Sequence, residues 1–311
     1  MKDKPTTFLE TLRYGAEAAL FMAFIGLFRV LGPDRASYLG GWIGRNILCH
    51  LPPDRVARAN LAAAFPEKTQ AERDAIRMAM WDNLGRVVGE YAHLDAFSIT
   101  GPNPRIRVID RAQSVAALAD GKGVIFVSGH LANWEMMPIT GNLLGFDGAT
   151  VVRPPNNPFV AHYLEVQRGL LGPKDQIAKH NAMRRMIAQL RAGKALYMLA
   201  DQKLNEGVPV PFFGRDAMTT PAPAALALKL GARIVFASNR RTHGARFEVV
   251  LYPGPDFTPT GEETKDMLAL TAAITARIEE MVRADPAQWL WIHNRWPKDG
   301  RPPRDSAAAL T

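Results

Sequence analysis

From about residue 105 onward, short apolar runs alternate with segments of helical periodicity, and this alternation restricts the fold more than any other feature of the chain. The predicted strands lie at 124–127, 149–152, 195–200, 208–213, 233–237 and 246–251. The predicted helices lie at 131–145, 157–170, 181–192, 219–230 and 262–284. Strands that alternate with helices are typical of an α/β fold. We therefore predict a central, mostly parallel or mixed sheet flanked by helices.

The first hundred residues are mostly helical and include an apolar run, AALFMAFIGLF (18–28), between Glu17 and Arg29. A membrane-spanning helix needs about 20 apolar residues, so this run is too short unless Glu17 and Arg29 lie near the interfaces. A second apolar stretch at 38–51 contains a tryptophan and three glycines. Two such segments favour a hairpin that enters one leaflet or lies in its interface, and the alternative is two buried core helices. We predict membrane-anchoring helices at 1–51.

The remainder of the chain, 52–311, is predicted to form one larger domain. It comprises a helical lead-in at 52–100 and an α/β core at 105–300. In the lead-in, Thr69 and Glu72 have the spacing of a capping box at the start of a long helix.

The net charge is +8 and the sequence pI is about 9.7. A basic balance favours an anionic partner, which includes nucleic acid, an anionic membrane face and an acidic protein or substrate. The basic residues are scattered among apolar segments without a recognised nucleic-acid motif, so nucleic acid is disfavoured. The single cysteine, Cys49, excludes an intrachain disulfide.

The segment VSGHLANWEMMP (127–138) contains the main candidate for a catalytic group, His130, three residues after the end of a predicted buried strand. Open α/β sheets bind ligands at the carboxyl ends of their strands. Glu135 lies five residues further on, which on a continuous helix separates the side chains by about 140°; the pair is a poor metal half-site, and we predict no metal. If a turn precedes a helix that begins at 131–133, Glu135 can hold one imidazole nitrogen and leave the other as a general base.

A serine hydrolase is disfavoured at the same place. The G-x-S-x-G elbow needs glycine on both sides of the serine, whereas Ser128 has Phe126 and His130 at those positions. We interpret His130 as a base acting on a substrate's own hydroxyl. The spacing alone also fits a polar turn with a surface glutamate.

Polar residues follow other predicted strands and helices. Arg153 ends a strand at the same sheet edge as His130 and is either a surface-loop arginine or a bidentate anion contact. Arg184 lies on a basic helix, for which a solvated face is the alternative. Asp201 and Gln202 follow another strand, where a cap or turn role is the default. The segment WLWIHNRW (289–296) packs three tryptophans around a histidine and an arginine, which is more typical of a structural clamp than of a site.

Taken together, these segments resemble the lipid A late acyltransferases, enzymes dependent on acyl carrier protein that add secondary lauroyl or myristoyl chains. The wider superfamily includes glycerolphosphate and lysophospholipid acyltransferases. The resemblance begins in the N-terminal apolar segment and covers nearly the whole chain. The motifs that carry it are DRVARANLAAAFPE (54–67), GHLANWE (129–135), RPPNNP (153–158), RRMI (184–187), LRAGK (190–194), ADQ (200–202), PFFG (211–214), AMTT (217–220) and WLWIHNRW (289–296).

The resemblance implies that His130 is the catalytic base and that Glu135 supports it. It also implies substrate-binding roles for residues of the later motifs. The predicted substrate-binding set is Arg153, Asn156, Arg184, Asp201 and Gln202. Pro221 departs from the glycine of many relatives, which bears on the acyl chain length and the acceptor more than on the chemistry.

The resemblance further implies acyl transfer from acyl carrier protein to a hydroxyl of a lipid A precursor, without a cofactor. The helix N-terminus after His130, or Arg153, is expected to stabilise the oxyanion. The expected partners are acyl carrier protein, an anionic glycolipid acceptor and membrane lipid, and the expected location is the cytoplasmic face of the bacterial inner membrane. Three alternatives remain open: a lysophospholipid or other membrane lipid as acceptor, an esterase with a serine or cysteine nucleophile, and a non-catalytic membrane scaffold.

Overall fold

The computed structural model describes residues 8–109, 121–178 and 182–296. The α-helices are α1 (Phe8–Leu31), α2 (Pro33–Asn46), α3 (Asp54–Ala64), α4 (Gln70–Glu90), α5 (Met136–Leu143), α6 (Pro158–Leu171), α7 (Ala182–Arg191), α8 (Ala222–Leu230) and α9 (Glu263–Ala284). The strands are β1 (Ile106–Ile109), β2 (Val124–Ser128), β3 (Gly148–Val151), β4 (Asp175–Ile177), β5 (Ala195–Leu199), β6 (Val208–Phe212), β7 (Arg215–Thr219), β8 (Arg233–His243) and β9 (Arg246–Pro253). Short 3₁₀ turns lie at Leu48–His50, Tyr91–Ala96 and Pro286–Gln288.

Seven of the described strands form one sheet in the order β1-β9-β8-β2-β5-β3-β4, and β6 pairs with β7 in a separate hairpin. Every neighbouring pair in the large sheet is parallel except β8 and β9. Helices cover both faces of the sheet, which explains why β2 is buried at all five positions. Ile125 and Val127 belong to one core cluster, whereas Val124 and Phe126 belong to the other. The predicted α/β class with a mostly parallel sheet is confirmed.

The predicted strands and helices at the centre of the fold are present, with ends displaced by a few residues. The strand predicted at 233–237 continues to His243. A second difference concerns the helix predicted to begin at 131–133, which begins at Met136. The cause is tertiary: Leu131 forms a bridge with Trp289, and the N–H of Ala132 donates to the carbonyl of Gln288. These contacts hold the chain in a bent, non-helical conformation where a helix would otherwise start. Ala132 has a φ of +49°, in the left-handed region that non-glycine residues seldom adopt.

The apolar run near the N-terminus lies within one continuous helix, α1, of 24 residues. An 18-residue stretch within Leu9–Leu31 has a mean hydropathy of 1.5, and only 11% of that stretch is buried. At 1.5 Å per residue, α1 as a whole extends about 36 Å, more than the ~30 Å of a hydrocarbon core. By length and composition alone α1 is therefore a candidate membrane span, although the uncharged run at its centre is short.

The second N-terminal segment forms α2, which packs along α4 through small residues. A Cβ atom on Gly44 would lie 2.0 Å from the carbonyl oxygen of Trp81, and one on Gly40 would lie 2.2 Å from that of Gly85. The opposite side of α2 exposes Tyr38 and Trp42. One face of α2 thus packs on α4, and the other is exposed. The predicted domain boundary at residue 51 stays a prediction. The capping box of Thr69 and Glu72 at the start of α4 is confirmed.

Gly44→Ala is expected to destabilise the protein, because the added methyl group forces α2 away from the α4 backbone. Overpacking of this kind costs about 1–3 kcal/mol, and each kcal/mol lowers Tm by about 2–4 °C in a domain of comparable size. Gly26→Ala on α1 is the matched control, since its Cβ would meet nothing within 4 Å. Thermal unfolding of both variants in detergent tests this, and an equal Tm for the two would contradict the close approach.

Candidate active site

His130 lies directly beyond β2, at the carboxyl end of the central parallel strands. Its backbone is fixed by the C-terminal segment, because the N–H of Leu290 donates to the carbonyl of His130 at 3.2 Å. The imidazole is 15% exposed, so it lies at the protein surface but is held by its neighbours. The tilted ring of Trp134 lies 5.2 Å from it, centroid to centroid.

The carboxylate that holds His130 is Asp201, which follows β5, the neighbour of β2 in the sheet. Nδ1 of His130 lies 2.8 Å from Oδ1 of Asp201, and the backbone N–H of His130 donates to Oδ2 at 2.7 Å. The indole N–H of Trp289 donates to the same Oδ2 at 2.7 Å. An ionised carboxylate only accepts hydrogen bonds, so Nδ1 carries the proton and the lone pair of the neutral ring is on Nε2.

Asp201 is completely buried, and its ionised form is nevertheless favoured. Burial by itself would raise the pKa of Asp201, but the charge of His130 and the two hydrogen bonds from that residue outweigh it and hold the pKa below its ordinary value. A buried carboxylate beside Nδ1 orients the imidazole and stabilises the imidazolium that forms when Nε2 accepts a proton.

Nε2 of His130 faces the side chain of Gln202. The amide nitrogen of Gln202 lies 3.0 Å from Nε2 of His130 and 2.9 Å from Nε2 of His293. Burial, together with the charge that His130 carries when protonated, lowers the pKa of His293 to about 4. His293 is therefore neutral at physiological pH and offers a lone pair to the amide.

Glu135 does not make the contact with His130 that its position in the sequence predicts. Its Oε1 accepts hydrogen bonds from the Tyr91 hydroxyl at 2.5 Å and from Nε of Arg168 at 2.8 Å. Burial raises the pKa of the Tyr91 hydroxyl, and the charge of Glu135 raises it further. Glu135 misses His130 because α5 starts later than predicted. Glu135 is the N-cap of α5, and from there its side chain is directed to Arg168 on α6. Glu135 therefore links α5 to α6 through Arg168, whereas Asp201 is the carboxylate that contacts the imidazole of His130.

The profile of a family described as "bacterial lipid A biosynthesis acyltransferase" matches residues 2–298. The chain belongs to this acyltransferase family.

Named relatives cover most of the acyltransferase chain at low identity. A lipid A biosynthesis acyltransferase of Haemophilus influenzae is 25% identical over 82% of this chain and 81% of its own length. A lipid A biosynthesis palmitoleoyltransferase of Escherichia coli is 23% identical over 78% of each chain. A phosphatidylinositol mannoside acyltransferase of Mycobacterium tuberculosis is 23% identical over 80% of this chain and 74% of its own.

Of the residues predicted from the acyltransferase motifs, the structure brings His130, Asp201 and Gln202 together. Arg153, Asn156 and Arg184 are exposed, and in the described part of the chain none of them is hydrogen-bonded to His130. Strand order accounts for the difference at Arg153 and Asn156, because β5 adjoins β2 whereas β3, which precedes them, lies one strand further out, about 10 Å away. Arg184 lies on α7. The roles predicted for these three residues in binding substrate stay predictions.

The aromatic segment at 289–296 is both a structural clamp and part of the candidate site. Trp289 contacts Asp201, and His293 faces Gln202. Arg295 is fully buried and donates to the carbonyl of Met218 and the hydroxyl of Thr219, which ties this segment to the β6–β7 hairpin. Burial lowers the pKa of Arg295 to about 10. His293 was not predicted as a site residue. Its position between tryptophans in the sequence is equally compatible with a structural role and with a role in a functional site.

Two residues that could serve as the nucleophile of an esterase, Ser128 and Cys49, make hydrogen bonds to backbone carbonyls away from His130. Ser128 is fully buried and its hydroxyl donates to the carbonyl of Ala237 at 2.6 Å. Cys49 is buried in the 3₁₀ turn after α2, with its thiol 2.9 Å from the carbonyl of Arg45. Among the described residues, no group of three or more His, Cys, Asp or Glu side chains is arranged to hold a metal ion.

Proposed function

We propose that this acyltransferase moves a fatty acyl chain from acyl carrier protein to a hydroxyl group of a lipid A precursor. The observation that carries the proposal is the contact between His130 and the buried Asp201, which leaves Nε2 of His130 as a base. The family and its lipid A relatives support the choice of acceptor.

In the proposed mechanism, Nε2 of His130 takes the proton of the acceptor hydroxyl while that oxygen attacks the thioester carbonyl. Asp201 keeps the proton on Nδ1 and stabilises the imidazolium by charge. The tetrahedral intermediate then expels the thiolate, which takes the proton back from Nε2. General base catalysis of this kind contributes about 10²–10⁴ to the rate. The positions of Ser128 and Cys49 favour direct transfer over an acyl-enzyme intermediate.

The charge and the N-terminal helix support a membrane location and an acidic donor. Acyl carrier protein, a phosphorylated glycolipid and an anionic leaflet all attract a chain with a net charge of +8. The exposed side of α1 presents Leu9, Leu20 and Val30, each at least 74% exposed. These features support attachment at the cytoplasmic face of the bacterial inner membrane, where the substrates meet.

A second acceptor class is favoured by one specific observation, the phosphatidylinositol mannoside acyltransferases among the relatives. A lysophospholipid or another membrane lipid would use the same base and the same carboxylate. The alternative therefore differs from the first proposal in the acceptor and not in the chemistry.

Mass spectrometry of lipid A from a strain that lacks the gene tests the acceptor. We expect the loss of one secondary acyl chain, restored by the wild-type gene on a plasmid. The mass difference identifies the chain, and fragmentation identifies its position. An unchanged lipid A profile together with a changed phospholipid or glycolipid profile would overturn the lipid A assignment in favour of the second acceptor class.

A further inference from the structure

The side chain of Gln202 occupies the position at Nε2 of His130 where an acceptor hydroxyl must bind. Its amide nitrogen lies at hydrogen-bond distance from the Nε2 atoms of both His130 and His293. An amide nitrogen carries two hydrogens and no acceptor lone pair, so it donates one hydrogen bond to each ring. Both Nε2 atoms are then acceptors.

The reverse orientation of the amide fits only a protonated His130. A carbonyl oxygen in the same place would require a proton on Nε2 of both rings. His130 already carries its proton on Nδ1, which faces Asp201, so a second proton would make it an imidazolium and remove the base. His293 is buried and neutral at physiological pH. The neutral, reactive form of the site therefore has the amide N–H groups directed at the two imidazoles.

Within the part of the chain that the structure describes, neither of the oxyanion donors expected from the sequence is hydrogen-bonded to His130. The helix after His130 begins at Met136 with Glu135 as its cap, so its first N–H groups are five or more residues from the base along the chain. Arg153 is exposed and follows a strand that is not adjacent to β2. Acyl transfer nevertheless generates a negative oxygen on the former carbonyl, and enzymes stabilise that oxygen with preorganised N–H donors.

We propose that the amide of Gln202 is the oxyanion donor of the transfer reaction and that His293 anchors it. This inference rests on the proposed function. The acceptor hydroxyl displaces one N–H of Gln202 from Nε2 of His130, while the other N–H stays on Nε2 of His293. The freed N–H remains close to the attacking oxygen and therefore close to the carbonyl carbon that the oxygen approaches.

The reacting groups must meet close to Nε2 of His130. The hydroxyl oxygen must lie about 2.6–3.2 Å from Nε2 of His130, and the carbonyl carbon about 3–3.5 Å from that oxygen. As the C–O bond forms, the hydroxyl proton moves to Nε2 and the carbonyl π electrons move to the oxygen, which accepts the N–H of Gln202. When the C–S bond breaks, the carbonyl re-forms, the proton moves from Nε2 to sulfur, and the amide is released.

Gln202→Met is the first test, because methionine keeps the length of the side chain and has no N–H group. Loss of one oxyanion donor lowers kcat by about 10²–10³ with little change in KM. The assay uses a purified acyl carrier protein thioester and the acceptor identified by mass spectrometry, with the full chain in detergent micelles. Gln176→Met is the matched control, since Gln176 is bonded to the carbonyl of Glu165 on α6 and is expected to keep full activity.

His293→Phe tests the anchor. Phenylalanine keeps an aromatic ring and removes Nε2, so the amide of Gln202 loses its fixed position and kcat falls, though by less than in Gln202→Met. Because both substitutions act through the same amide, the double variant is expected to be no slower than Gln202→Met alone. Additive losses would contradict the anchoring role. If Gln202→Met does not fold, Gln202→Leu also removes the N–H donors and places no oxygen beside Nε2 of His130.

Two results would overturn the inference. One is a kcat within about tenfold of wild type in a folded Gln202→Met protein, less than the usual effect of such a donor. The other is a raised KM for the acceptor at unchanged kcat, which would make Gln202 a binding residue instead. Inactivity of His130→Ala in the same assay shows that the proposed function holds when this inference fails, whereas an active His130→Ala would refute the proposed function itself.

Discussion

Replacing His130 by alanine is expected to lower the rate of acyl transfer by about 10²–10⁴, because the acceptor hydroxyl then lacks its base. The side chain lies at the surface of the site and its hydrogen bonds go to Asp201 and Gln202, so the variant should remain folded and membrane-bound. Initial rates measured with the thioester donor and the lipid acceptor, together with Tm, test both expectations.

His162→Ala provides the matched control for this experiment. It is the same substitution at a histidine on α6 whose side chain is 77% exposed, and it should leave the rate unchanged. A His130→Ala protein that keeps more than about a tenth of the wild-type rate would exclude His130 as the base.

Replacing Asp201 by asparagine is expected to lower kcat by a similar factor, about 10²–10⁴, although the shape of the site is conserved. An amide nitrogen facing Nδ1 would donate to it, so the imidazole proton would move to Nε2 and the lone pair needed for catalysis would be lost. The ¹⁵N chemical shifts of the His130 ring report the tautomer directly. They should show a proton on Nδ1 in the wild type and on Nε2 in the variant.

Glu135→Gln distinguishes the role of Glu135 from that of Asp201, because it also replaces a carboxylate by an amide. Glu135 is paired with Arg168, and the side chains are 4% and 16% exposed, so the variant leaves a buried cation with a weaker partner. Breaking a buried pair destabilises a protein by up to about 3–5 kcal/mol. We therefore expect a lower Tm with a smaller loss of kcat than in Asp201→Asn. If Glu135→Gln loses kcat as severely as Asp201→Asn at unchanged Tm, the assignment of Asp201 as the orienting residue is wrong.

The elements that the sequence predicts best are those that are buried on both faces or have a wide apolar stripe. β2 and β5 are continuous apolar runs, and α9 is a long amphipathic helix, so each was recognisable from its own residues. Strands β1, β4 and β7 were not predicted, because they contain three to five residues with charged or polar side chains among them. The strand conformation of β1 and β4 depends on hydrogen bonds to neighbours that are distant in the chain, whereas β7 pairs with β6 directly before it.

The sequence by itself determined the α/β class, the position of His130 after a buried strand, and the family motifs that imply acyl transfer. These properties are local, since hydrophobic periodicity and motif spacing belong to single segments. The partner of His130 was decided by the tertiary structure. Glu135 is five residues away but is directed to Arg168, whereas Asp201 is 71 residues away and adjacent because β5 pairs with β2. Strand order in a sheet is a long-range property, and so are the contacts of Trp289 and His293 that complete the site.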